Sequence, residues 1–76
     1  MPTFLQHRNI NIVTLYNNDD VAEYCRPGDI ALKQEGDHWR AYDIQDDGRI
    51  AAAGFPSESY DKALETAKAT AERRAG

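Results

Sequence analysis

Residues 29–55, DIALKQEGDHWRAYDIQDDGRIAAAGF, decide the fold. Two tight turns, Gly36-Asp37 and Asp46-Asp47-Gly48, divide the stretch into three short extended runs at 30–35, 38–45 and 49–55. An Asp-Gly step between two such runs is a strong hairpin signal, because glycine supplies the positive φ that a tight hairpin needs. The stretch reads as a three-stranded antiparallel meander with the single tryptophan, Trp39, on its middle strand. Side chains alternate across a strand. Ile30 and Leu32 therefore share a face, Trp39 and Ala41 point one way, and Tyr42 and Ile44 point the other. In the third run Ile50 and Ala52 oppose Ala51, Ala53 and Phe55.

Upstream, residues 9–16 form a further strand, rich in β-branched and large apolar residues. Ile10, Ile12 and Tyr16 lie on one face and Val13 and Leu15 on the other, so this strand needs cover on both sides. Residues 1–8 show no period and are expected to be loose. Asp20 and Glu23 have the spacing of a capping box, which predicts a short helix within 19–26, ended by Pro27-Gly28. Downstream, 57–75 is one amphipathic helix. Ser57 or Ser59 caps it, Glu58 and Asp61 suit its positive end, and Arg73 and Arg74 suit its negative end. Tyr60, Ala63, Leu64, Ala67 and Ala71 form one stripe at helical spacing. Being mostly alanine, the stripe predicts a helix lying close to the sheet. The fold expected is α+β in a single domain. A small, mostly antiparallel sheet of three to four strands packs on one C-terminal helix, with a short helix after the first strand.

A chain of 76 residues has room for one core. Its apolar complement includes eleven alanines, which bury little area each, and chains of this size are marginal unless stapled or associated. One cysteine makes no internal disulfide, and with two histidines there are too few ligands for a structural zinc site. The formal net charge is −4, and it is concentrated locally. Asp29, Glu35, Asp37, Asp43, Asp46 and Asp47 stand against only Lys33 and Arg40 in residues 29–47. An acidic balance favours solubility and disfavours non-specific contact with nucleic acid or anionic membrane. No apolar run has the length of a membrane span or an export signal, so a cytoplasmic protein is expected.

No constellation amounts to a catalytic or cofactor signature, and the expectation is a protein that is not an enzyme and carries no metal or cofactor. Residues 43–48 imitate the opening of a calcium loop. Position 12, however, is Gly54 instead of the bidentate glutamate, and the flanks read as strands. Cys25, His7 and His38 offer the elements of a thiol nucleophile, but nothing in the sequence fixes them together. The carboxylate pairs Asp19/Asp20 and Asp46/Asp47 sit in turns, where acids satisfy backbone groups. The glycines have turn spacing and form no phosphate loop.

The helix segment Ser59-Tyr60-Asp61-Lys62-Ala63-Leu64-Glu65-Thr66-Ala67-Lys68 resembles the helix of HicB-type antitoxins. In that pattern a hydroxyl cap, an acidic first turn, an Ala-Leu pair and a later alanine follow a three-stranded meander. The resemblance covers residues 29–74. It implies a partly RNase-H-like sheet that binds and neutralises a small toxin. The chain departs from the pattern in lacking a Pro-Asp loop before the helix, and in placing a strand and short helix first.

The apolar residues on both sides of the meander, against a single thin helix, imply a second face that something else must cover. This points to a small acidic protein-binding module of bacterial or phage type, an accessory or inhibitor that occludes a site on its partner. The partner would carry a basic surface, or the chain would associate with itself as a dimer. Trp39 and Tyr42 are the candidate anchors, and Asp37, Asp43, Asp46 and Asp47 the candidate charge contacts. The alternative is a three-stranded sheet that binds nucleic acid through the face carrying His38, Arg40 and Tyr42, with Lys33 and Arg49 beside it.

Overall fold

Ile12 and Val13, adjacent in sequence and facing opposite ways, are both fully buried. Their strand therefore lies inside a sheet with something packed on each side. The computed structural model describes residues 2–75. The elements are β1 (Thr3–His7), β2 (Ile10–Leu15), α1 (Val21–Tyr24), β3 (Ile30–Glu35), β4 (His38–Ile44), β5 (Ile50–Ser57) and α2 (Tyr60–Ala75). They form a five-stranded mixed sheet in the order β1-β2-β3-β4-β5. Strands β2 and β3 run parallel, and every other neighbouring pair is antiparallel. A parallel pair needs a connection that returns across one face, and α1 lies on that return path.

The α+β architecture with a C-terminal helix matches the sequence expectation; the strand count does not. Residues expected to be loose form β1, so the sheet has five strands and the short helix follows the second of them. Strand β1 reaches β2 through a two-residue turn, Arg8-Asn9, with φ of 54° and 65°. Positive φ at both positions defines the mirror-image turn that matches the twist of a hairpin. Its usual marker is Asn-Gly, and Arg-Asn hides it. Helix α1 is a single turn, capped by the Asp20 carboxylate, which accepts from the Ala22 N–H at 3.0 Å. Helix α2 begins at Tyr60, later than expected, because β5 runs on through Ser57.

Helix α2 packs on one face. Ile12, Ile30, Leu32, Ala41 and Ala53 meet Ala63, Ala67 and Ala71 there, the alanine stripe letting helix and sheet approach closely. Tyr60 seats the N-terminal end of the helix, its hydroxyl 3.2 Å from Thr14 Oγ1. At the other end the Arg74 guanidinium donates to Asp43 Oδ1 at 2.6 Å. The opposite face is not bare, contrary to the sequence expectation. Val13, Leu15, Ala31 and Ile44 form a second buried cluster, covered by Val21 and Cys25 from the crossover and by Tyr42. One helical turn, with Tyr42 beside it, suffices because the apolar centre of that face is only four residues drawn from β2, β3 and β4.

Candidate functional site

The six residues read from sequence as a contact surface fall in separate places. Trp39 faces α2 and is wedged edge-on between Tyr16 and Tyr60, with ring centroids at 5.9 and 4.9 Å. Tyr42 is on the opposite face, half-buried, and its hydroxyl donates to Glu35 Oε2 at 2.6 Å. Burial, and then this carboxylate, push its phenol above the ordinary value. Asp43 is on the helix side, held by Arg74. Asp37 lies in the β3–β4 turn, 2.6 Å from His38 Nδ1. Asp46 and Asp47 occupy the β4–β5 turn at the other end of the sheet. Only these last two adjoin one another on open surface.

Beside that turn the structure has an apolar notch. Val21, Ala22, Cys25 and Pro27 form one wall, and Ile44, Gly48 and Ile50 form the other, around about 190 Å³. Its walls are fixed by backbone pairing. The Gly28 N–H donates to the Ile44 carbonyl at 2.9 Å, and the Ile44 N–H to the Asp29 carbonyl at 3.0 Å, tying the end of the crossover to β4. The facing turn is closed by the Gly48 N–H on the Gln45 carbonyl at 2.8 Å. Asp47 stiffens it, accepting from the Arg49 N–H at 3.0 Å and from Arg49 Nε at 2.7 Å. Ile50, on the lip, is 48% exposed. An apolar hollow beside the exposed Asp46 suits an apolar side chain flanked by positive charge.

Cys25 does not make the notch reactive. Burial, reinforced by Asp29, pushes its thiol from 9.0 to about 11, so it stays protonated at neutral pH, and the thiolate is the nucleophile. His7 and His38 are engaged elsewhere, with Glu72 and Asp37. Among the described residues no group of three or more His, Cys, Asp or Glu is placed to hold a metal ion. No helix among the described residues is long and apolar enough to cross a membrane. A larger depression of about 620 Å³ lies along α2, lined by Gly54, Thr66, Ala69, Glu72 and Arg73. It is open, and Thr66, Glu72 and Arg73 bring polar tips into its lining, so the smaller notch, lined mostly by apolar residues, is the better receptor for a side chain.

Three of the basic residues are committed within the fold. Lys33 Nζ donates to the carbonyls of Tyr16, Asn17 and Gln34 at 2.8, 3.1 and 3.0 Å. Arg49 is held by Asp47, and Arg74 by Asp43. Arg40, opposite Lys33 in the ladder, has a buried Nε without a hydrogen-bond partner. The notch walls Val21, Ala22, Cys25 and Pro27 escaped sequence reading because a four-residue helix has no periodicity to reveal which way it faces. The available signal was the apolar second face of residues 10–16 and 30–44, which needed a lid from nearby chain. No family profile, curated protein or solved structure matches this chain.

Proposed function

We propose that this chain is a small, acidic, non-enzymatic protein-binding module that occludes a site on a basic partner, docking through the notch between α1 and the β4–β5 turn. The observation that carries the reading is an apolar hollow whose wall includes Gly48 of the acidic Asp46-Asp47-Gly48 turn. A partner inserts one aliphatic or aromatic side chain against Ile44 and Ile50, and its neighbouring Lys or Arg residues meet the turn. Buried apolar anchors supply affinity, and rim charges supply orientation and association rate. This replaces the six-residue surface expected from sequence. Asp46 and Asp47 stay in it, while Trp39 and Asp43 serve the α2 interface. An antitoxin or a phage anti-defence inhibitor in the cytoplasm would act in this way.

The nucleic-acid alternative is the weaker one. Phosphate contacts need a positive footprint; of that alternative's cations Lys33 is turned onto backbone carbonyls, Arg49 is paired with Asp47, and Arg40 has its unpartnered Nε buried. Affinity capture from a bacterial host with the wild-type chain, Asp46→Lys and Ile50→Glu as baits tests the proposal. A basic protein retained by the wild type and lost from both variants, at unchanged melting temperature, supports it. Salt-sensitive retention of mixed duplex with no protein partner refutes it.

A further inference from the structure

The two edges of the sheet differ in how they are guarded. Exposed edges template pairing with other chains, and natural sheets blunt them with proline, charge or bulges. Strand β5 is blunted. Its ladder with β4 jumps from Ala41↔Ala53 to Trp39↔Ser57, so Gly54, Phe55 and Pro56 stand opposite Arg40 alone. Pro56 has no N–H, and Phe55 is 90% exposed at the kink. Strand β1, Thr-Phe-Leu-Gln-His, has no proline, no acid, no lysine or arginine, and an unbroken register from Thr3↔Thr14 to His7↔Ile10. Its Phe4 is 63% exposed and its Leu5 41%, on opposite faces of the sheet.

We propose that β1 pairs antiparallel with β1 of a second copy, making a two-fold dimer with one sheet running through both chains. The register follows from the hairpin. The Arg8-Asn9 turn places the His7 carbonyl against the Ile10 N–H, so His7, and alternately Leu5 and Thr3, direct their backbone groups at β2. Phe4 and Gln6 direct theirs outward. A two-fold axis perpendicular to the sheet through Leu5 sets Phe4 opposite Gln6 of the second copy, and Gln6 opposite Phe4 of the second copy. Each such pair exchanges two hydrogen bonds. Leu5 then faces Leu5 of the second copy across a non-hydrogen-bonded pair, where side chains approach most closely. Centring the axis on Phe4 would instead set Gln6 against Pro2, which has no N–H to give.

The register is self-complementary, which makes a second copy the occupant of this edge, and the local charge admits it. Each chain carries −4, and acids crowd the turns of β3, β4 and β5. The β1 strand is uncharged, and beside it Arg8 and Lys68 offset Glu72, which hydrogen-bonds His7 at 2.8 Å. Two like-charged chains meet here with least repulsion. The contact is isologous, so it closes at two chains and propagates no fibre.

A five-residue strand pairing is a small interface and a correspondingly weak one. In sedimentation equilibrium the mass should climb from 8.5 kDa toward twice that value, over roughly tens to hundreds of micromolar protein. Gln6→Pro removes an outward N–H and leaves the β1–β2 ladder intact; it should remain monomeric throughout, with a native melting temperature. Leu5→Lys and Leu5→Glu place like charges on the axis. Each should be monomeric alone, and an equimolar mixture should recover a dimer. Should the proline variant misfold, the charge pair decides the matter. A wild-type chain that is monomeric at millimolar concentration overturns the proposal. So does a dimer that survives Gln6→Pro, or a Leu5→Lys and Leu5→Glu mixture that stays monomeric.

Discussion

Gly54 is the position where one added methyl group should do the most damage. It has φ of +78°, and a Cβ there would lie 2.9 Å from Thr66 Cγ2 on α2. Gly54→Ala meets two separable penalties. An L-residue in the left-handed region costs about 1–2 kcal/mol. Displacing the Thr66 methyl costs about 1 kcal/mol, the low end of overpacking, because a side-chain tip and not backbone is in the way. The stiffer unfolded chain returns about 0.5–1 kcal/mol. The net loss is about 2 kcal/mol, which in a domain of this size lowers the melting temperature by roughly 8–16 °C.

Thermal and urea unfolding of Gly54→Ala, Thr66→Ala and the double variant separate the penalties. Thr66→Ala removes the obstructing methyl and one hydroxyl bond to the Lys62 carbonyl, at 3.2 Å. In that background Gly54→Ala should cost about 1 kcal/mol less, and the cycle reads this as a coupling energy. Equal losses in both backgrounds would show that Thr66 is not the obstacle. A loss below about 0.5 kcal/mol in the wild-type background would show that the bulge relaxes and that glycine is not required there.

Trp39→Ala should lower stability by about 2–4 kcal/mol, since it empties the space between Tyr16 and Tyr60 at the start of α2; circular-dichroism melts measure it. Ala67→Leu should cost about 1–3 kcal/mol or displace α2, because Ala67 is fully buried between helix and sheet. A denaturation midpoint equal to wild type would contradict the close packing. The Cys25 thiol should alkylate slowly with iodoacetamide at pH 8 and faster toward about pH 11, followed by mass spectrometry. Folding raises its pKa above the unfolded value, so the folded state holds the proton more tightly. That contribution to stability is complete below the unfolded value of 9.0 and is lost as pH rises toward about 11. Cys25→Ala should flatten this part of the stability profile.

The meander was legible because its information is local. Turn residues at Gly36 and Asp47-Gly48 mark the hairpins, and strand parity separates Trp39 and Ala41 from Tyr42 and Ile44. The stripe from Tyr60 to Ala71 was legible for the same reason, its period being intrinsic to the helix. Strand β1 was not, because an edge strand that is open on both faces carries no alternation, and its turn lacks glycine. The parallel pairing of β2 with β3 depends on the path of the crossover, which no local signal encodes. Of the site, Asp46 and Asp47 could be named as turn acids, but the engagement of Asp43 could not. Its partner Arg74 is 31 residues away and reaches it only once α2 has packed on that face of the sheet. The cover over the second face was hidden by α1's single turn, so the expectation of a bare face failed at its centre.

What that correction leaves is a molecule whose exposed Phe, Leu and Ile residues, Phe4, Leu5, Ile50 and Phe55, lie on the two edge strands of the sheet, and the edges have different chemistry. Phe4 and Leu5 sit on an uncharged edge whose backbone is ready to pair; Ile50 sits at the far edge beside Asp46 and Asp47. A dimer through β1 therefore leaves both notches free and carries them to opposite ends of the joined sheet. Such a dimer can engage two sites on a repetitive or dimeric basic partner, and the second contact then forms intramolecularly at a high effective concentration. The two surfaces are mutually testable for this reason. Gln6→Pro should leave the intrinsic affinity of each notch unchanged while abolishing the gain from bivalency, so its effect appears on a bivalent target and vanishes on a monovalent one. An equal loss on both targets would mean that β1 contacts the partner directly, and the division of labour between the two edges would be wrong.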